Sequence, residues 1–209
     1  MSPADPQSTS DRRERIVGSA TEVFLRFGFR KTSMDDVAQA AGISRQGLYL
    51  HFKNKAELFE AMMEHMLAGM WAGCRQMFDR DDLDVSDRLI GALDAFHGLT
   101  VGRVELGRFS ELLDTARSFA GPRLRDMERE FVEELAGLLD RTGVAARWTS
   151  TGLTPFDLAE HLFAASAGAK YEAQTHDAYL ASVRIAATVV TNGPDRPPTS
   201  PSRRRAGRA

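Results

Sequence analysis

Arg45, Gln46, Tyr49 and His51 fall on one side of a short helical segment, Leu48 and Phe52 fall on the other, and Lys53 and Lys55 follow at once. A guanidinium and a carboxamide can each form two parallel hydrogen bonds to the edge of a planar base, arginine matching guanine and glutamine matching adenine. Gly47, between them, has no side chain and so permits close approach. The flanking hydroxyls, the two lysines and the helix N-termini near Ser33 and Lys53 suit phosphate oxygens. The chemistry on offer is recognition of a polyanion by hydrogen bonding.

Covalent chemistry finds little support in the same sequence. The five histidines (His51, His65, His97, His161, His176) lack the spacing of a helical zinc site, and Cys74 has no partner cysteine. No glycine-rich phosphate loop follows a strand. The run Ala164-Ala165-Ser166-Ala167-Gly168 lacks the first glycine of a nucleophile elbow and sits in a helical pattern. We therefore expect no enzyme, no metal and no cofactor.

The elements that must position Arg45 and its neighbours are helices. Only Pro122 and Pro155 interrupt residues 7–193, and apolar residues recur at three- and four-residue steps. Examples are Ile16, Ala20, Val23, Phe24 and Phe27, then Leu58, Met62, Met66 and Met70, then Leu124, Met127, Phe131, Leu135 and Leu138. Period-two alternation is nearly absent. The expected fold is all-α with about nine helices. Thr32 and Ser33 cap a helix ending at Ala41, Gly42 turns the chain, and Ser44 caps a second helix of about eight residues, the proportion of a helix-turn-helix. Lys53-Asn54-Lys55 opens a long helix to about Phe78, Ser86 restarts a helix after an acidic linker, Gly121-Pro122 begins another, and Pro155 begins one more.

Charge is distributed to match. Residues 26–55 carry six basic side chains and two acidic ones, whereas the chain as a whole has a formal charge of −2. A small basic island sits on an acidic body. The single cysteine, the absence of a long apolar run and the polar start of the chain lead us to expect a cytoplasmic protein with no membrane partner.

The run Thr32-Ser33-Met34-Asp35-Asp36-Val37-Ala38, with Ala41-Gly42-Ile43-Ser44, Gly47-Leu48-Tyr49, His51-Phe52 and Lys53-Asn54-Lys55-Ala56-Glu57-Leu58, resembles the N-terminal signature of the tetracycline-repressor (TetR) family of transcriptional regulators. Ile16, Ala20, Phe24, Phe27, Gly28 and Phe29 are similar to that family's first helix. The resemblance covers roughly residues 10 to 60.

Composition leads us to expect a disordered arm over residues 1–10 and a disordered basic tail over 193–209, and the resemblance implies a helix-turn-helix DNA-binding domain over 11–55 and an effector-binding and dimerisation domain over 56–192. It implies DNA contacts from Thr32, Ser33, Ser44, Arg45, Gln46, Gly47, Tyr49, His51, Lys53 and Lys55, with Asp35 a first-turn charge where some members place a basic reader. It also implies a homodimer on a double-stranded, palindromic operator, released by a small-molecule effector, with repression as the family default.

Small residues on the last two helices suggest the dimer seam: Ala159, Leu162, Ala165, Gly168, Ala169, Leu180, Val183 and Ala187, an internal core seam being the alternative. Trp71, Phe96, His97, Phe109, Leu113, Trp148, Phe163 and Tyr171 could line an effector cavity, or simply fill the core. His161 reads as an interior or interface residue. Gly98, Gly102 and Gly107 mark either a kinked helix opening that cavity or a break between two helices. Arg203-Arg204-Arg205 and Arg208 could add a nonspecific grip on DNA, or form a solvated end. The rival readings are a small-molecule-binding protein of this fold without operator function and, more remotely, an enzyme.

Overall fold

The computed structural model describes residues 6–102 and 106–194, and gives the backbone alone for residues 6–10, 100, 106–113 and 119–120. Among these residues there are eight α-helices: α1 (Pro6–Lys31), α2 (Met34–Ala40), α3 (Arg45–Tyr49), α4 (Lys55–Phe78), α5 (Val85–His97), α6 (Leu106–Arg141), α7 (Pro155–Glu172) and α8 (His176–Asn192). Two 3-10 segments, Gly98–Thr100 and Ala145–Thr151, join them. The all-α expectation holds. The basic tail from residue 195 onward lies outside the described residues.

Helix starts follow side-chain capping. Ser33, Ser44, Asn54, Thr154 and Thr175 each accept a hydrogen bond from a first-turn amide, which satisfies a donor the helix cannot use internally. Asp84 takes the role expected of Ser86, accepting from the Asp87 amide at 2.9 Å. Helix α1 begins at Pro6, inside the segment expected to be an arm. Pro122 lies within α6 instead of starting a helix. An interior proline removes one backbone bond and costs about 3 kcal/mol, and the buried stripe Met127, Phe131, Leu135 and Leu138 beyond it offsets that loss.

Helix α1 is broken at Gly28, whose φ of 79° is open to glycine and strained for other residues. The break redirects the chain. Phe27, expected in the core, is exposed, while Phe29 stacks on Phe24 and meets the Phe59 ring edge-on at 4.9 Å.

Two cores result. The first joins Ile16, Ala20 and Phe24 to Val37, Leu48 and Phe52, and continues through Leu58, Phe59 and Met62 of α4, past the expected boundary at residue 55. The second surrounds Phe131 and collects Leu89, Leu93, Leu135, Leu162, Tyr179 and Val183, together with Cys74 and Phe78 from the far end of α4. Helix α4 thus belongs to both cores. In the second core α4 lies against α5, α5 against α8, α8 against α7, and α7 against α6.

Candidate nucleic-acid interface

The local geometry of residues 32–57 explains why α3 presents its polar face. At the start of α2, Ser33 Oγ accepts from the Asp36 amide at 3.2 Å while Asp36 Oδ2 accepts from the Ser33 amide at 2.8 Å, a reciprocal cap. The Ser33 hydroxyl also donates to that carboxylate, and these bonds hold Asp36 below the usual carboxylate range. Gly42, with φ 65°, makes the turn, and the Ile43 amide closes it onto the Ala38 carbonyl at 3.0 Å. The two helices are shorter than expected, seven residues in α2 and five in α3.

Leu48 is wholly buried and anchors α3, so the residues beside it in sequence must point away. Arg45, Gln46 and Tyr49 are exposed, and Gly47 and His51 are half-buried. Gly47 fits close to the Ser44 cap, since a Cβ there would lie 3.2 Å from Ser44 Oγ. Arg45 Nη1 reaches back to Asp35 Oδ2 at 2.9 Å, and its guanidinium lies 5.7 Å from the centre of the Tyr49 ring. Tyr49 first and Asp35 second raise the Arg45 pKa, so the cation is firmly held. Asp35 is therefore more than a first-turn charge. It positions Arg45.

Two expected phosphate contacts are directed inward. Thr32 is buried and its hydroxyl donates to the Gly28 carbonyl at 2.8 Å. Lys55 Nζ donates to the carbonyls of Phe29 at 2.8 Å and Thr32 at 2.9 Å, with Arg30 at 3.5 Å, and lies 4.5 Å from the centre of the Phe29 ring. The chain is redirected at Gly28, and the Lys55 ammonium donates to carbonyls of the segment that follows. Lys53 remains exposed, with its amide donating to Glu57 Oε2 at 2.8 Å. Sequence reasoning missed Leu50, which is 83% exposed. Its signal was available, since it lies two residues from both Leu48 and Phe52 and so opposite the buried stripe.

Residues 16–62 match the family model described as bacterial regulatory proteins, tetR family. Over those residues the chain is similar to the N-terminal module of that family. It is 36% identical over 86 residues to the HTH-type transcriptional activator FasR of Mycolicibacterium smegmatis, a stretch covering 41% of this chain and 39% of FasR. Over 60 residues it is 33% identical to the HTH-type transcriptional regulator TtgR of Pseudomonas putida, covering 29% of each protein. The matched stretches span less than half the length of these relatives. A TetR transcriptional regulator from Chloroflexus aurantiacus shares the fold, with a TM-score of 0.69 over 90% of this chain and 98% of that one at 23% identity.

Beyond the matched residues, an apolar cavity of about 150 Å³ is lined by Met63, Met66 and Met70 of α4, Phe96 and His97 of α5, and Met127 of α6, with Glu128 and Lys170 also in its wall. Among the described residues, only Phe96 and His97 of the expected lining are there. Phe163 sits behind them, its ring 5.5 Å from Phe96 and 4.9 Å from His97. Trp71 lies instead on a wider groove of about 880 Å³ between α4 and α6, among Arg75, Arg123 and Asp126. Trp148 is fastened elsewhere, donating from Nε1 to the Val190 carbonyl at 2.8 Å, and Tyr171 is exposed. The side chains of Phe109 and Leu113 lie outside the described residues. The methionines were legible as a helical stripe, but their cavity was not.

The segment after α5 is a break, with a 3-10 turn at Gly98–Thr100. Gly98 is required by a neighbour: His176 Nε2 meets Asp94 Oδ1 at 2.7 Å, and a Cβ at residue 98 would lie 1.8 Å from that oxygen.

Half of the expected dimer seam is internal. Ala159, Leu162, Val183 and Ala187 are buried in this chain's own core, because α7 and α8 turn those faces toward each other and toward α5. Gly168 is exposed, and Ala165, Ala169 and Leu180 are half-buried. The outward apolar side chains are instead Phe156 and Tyr171 of α7 and Ile185 and Val189 of α8, the last two 67% and 53% exposed. His161 is also exposed rather than interior. Among the described residues no group of three metal-binding side chains occurs, and no helix is long and apolar enough to cross a membrane.

Proposed function

We propose that this chain is a transcriptional repressor that binds a palindromic operator as a homodimer through α3 and leaves it when a small molecule enters the methionine-lined cavity. The observation that carries the DNA reading is the outward face of α3, with Leu48 buried beneath it and Arg45, Gln46, Tyr49 and Leu50 projecting to solvent. Arginine and glutamine provide the paired donors and acceptors for guanine and adenine, and Leu50 suits the thymine methyl group. Ser33, Ser44, His51 and Lys53 at the margins suit phosphate.

Symmetry strengthens a weak single grip, because two modules on one frame make the second contact intramolecular. The exposed face of α7 and α8, with Phe156, Ile185 and Val189, fits that frame, and half-sites would then lie about one helical turn, roughly 34–36 Å, apart.

Release is a population shift. Helix α4 carries Leu58, Phe59 and Met62 in the first core and Met63, Met66 and Met70 at the cavity, so a ligand moving α4 moves the reading helix. Each tenfold loss of operator affinity requires about 1.4 kcal/mol of preference for the released conformer. Fluorescence anisotropy with DNA from the protein's own promoter tests the proposal. A salt-sensitive, sequence-selective complex of two chains per operator is expected; a strictly monomeric protein that shifts no promoter fragment at low ionic strength overturns it.

A further inference from the structure

A buried chain of hydrogen bonds behind the cavity has a direction that can be read from its last acceptor. Tyr179 Oη lies 2.9 Å from the Leu93 carbonyl, which can only accept, so the phenol's single proton points there. Ser166 Oγ lies 2.8 Å from Tyr179 Oη and must therefore donate to it. Having given its only proton, Ser166 can only accept from His97 Nδ1 at 2.9 Å. The proton of a neutral His97 is thus on Nδ1, and Nε2 is left as a lone-pair acceptor.

His97 is 6% exposed and forms part of the cavity wall. With Nδ1 turned to Ser166, Nε2 is the ring nitrogen that remains to meet a ligand on the cavity side. Burial pushes the imidazole down to about 3, which keeps it neutral in ordinary buffers and keeps Nε2 free of a proton. Among the described residues of the wall, the other two charged side chains, Glu128 and Lys170, have opposite signs, and Glu128 stabilises the Lys170 ammonium against the burial that lowers its pKa. These two charges offset each other and favour a neutral ligand. Met63, Met66, Met70 and Phe96 offer thioether and ring contacts to a slim apolar body.

We infer that the cavity takes a small neutral ligand with an apolar body and one hydroxyl, of the phenol class, whose O–H donates to His97 Nε2. This rests on the reading of the cavity as the effector site and adds the polarity of the bond that selects the ligand. A bare ring leaves Nε2 desolvated without a partner, and a carboxylate brings a lone pair against a lone pair.

Titration calorimetry of the full chain with 4-propylphenol, 1-fluoro-4-propylbenzene and 4-propylbenzoate tests it. Fluorine matches the hydroxyl in size but donates no proton. The phenol is expected to bind about tenfold or more tighter than either analogue, the size of effect a buried hydrogen bond supports. Equal or tighter binding of the fluoro compound overturns the hydroxyl assignment and leaves the cavity as a ligand site. Tighter binding of the benzoate overturns neutrality. Heat from none of the three overturns the effector-site reading together with the inference. His97→Gln, whose amide oxygen can accept in place of Nε2, should keep the preference, and His97→Phe should abolish it. Should His97→Phe not fold, nitrogen-15 NMR of the native imidazole decides independently: an Nδ1–H tautomer supports the inference and an Nε2–H tautomer overturns it.

Discussion

Asp35 Oδ2 holds Arg45 Nη1 at 2.9 Å across the turn between α2 and α3, tying the most basic side chain of the reading face to an acid on the neighbouring helix. Both side chains are more than half exposed, so the tie can open when DNA arrives. Replacing Asp35 by Ala removes a charge that competes with phosphate. Nonspecific DNA binding should tighten several-fold, and the slope of log affinity against log salt should steepen by about one. Anisotropy titrations at several salt concentrations measure this. Weaker binding with altered base preference would instead make Asp35 a reader in its own right.

Lys53 and Lys55 should separate cleanly. Lys55→Met removes the ammonium that donates to the carbonyls of Phe29 and Thr32, at a cost of about 1–3 kcal/mol of stability, seen as a lower melting temperature. Lys53→Ala should leave stability nearly unchanged and lower the salt slope of DNA binding by about one.

The inward and outward faces of α7 and α8 predict different failures. Ile185→Asp with Val189→Asp places charges on the exposed apolar face, and light scattering should report a monomer. Leu162→Ala removes a fully buried side chain and should cost about 2–5 kcal/mol of stability in denaturant unfolding.

His97 makes stability depend on pH. Its folded value of about 3 lies below the ordinary 6.5, so between these values the unfolded chain binds a proton that the native chain does not. Stability conferred by this site is complete above 6.5 and is lost as pH falls toward 3. The slope approaches about 1.4 kcal/mol per pH unit inside that window. His97→Phe should flatten it by that amount, measured as unfolding free energy from about pH 4 to about pH 7.

Cys74 should be inert in the native protein. Its thiol is wholly buried, donates to the Ala92 carbonyl at 3.6 Å, and is pushed up to about 12 by burial. A thiol reagent at pH near 8 should react only after denaturant is added, since the thiolate is the nucleophile.

The features legible in the sequence are those enforced over a few residues. Ser33, Ser44 and Asn54 cap the helices that follow them, Gly42 turns the chain, and the spacing of Leu48 and Phe52 leaves Arg45, Gln46 and Tyr49 on the opposite face. Such signals depend on backbone donors within one helical turn, so neighbours in sequence suffice to reveal them. The outward position of Leu50 follows from the same spacing.

What required the folded chain is the phase of each helix against partners far away in sequence. Lys55 turns inward because a break at Gly28, 27 residues earlier, leaves carbonyls within its reach. Ala159, Leu162, Val183 and Ala187 look like a seam at any helical spacing, and only the docking of α7 on α8 and α5 makes it internal. The cavity likewise needs methionines of α4, His97 of α5 and Lys170 of α7 to converge, and the direction of the bond at His97 is set through Ser166 and Tyr179 by a carbonyl of Leu93. Periodicity specifies that a face is apolar. Which surface it meets is settled when the helices pack, because burial energy depends on area removed from water and not on the identity of the covering element.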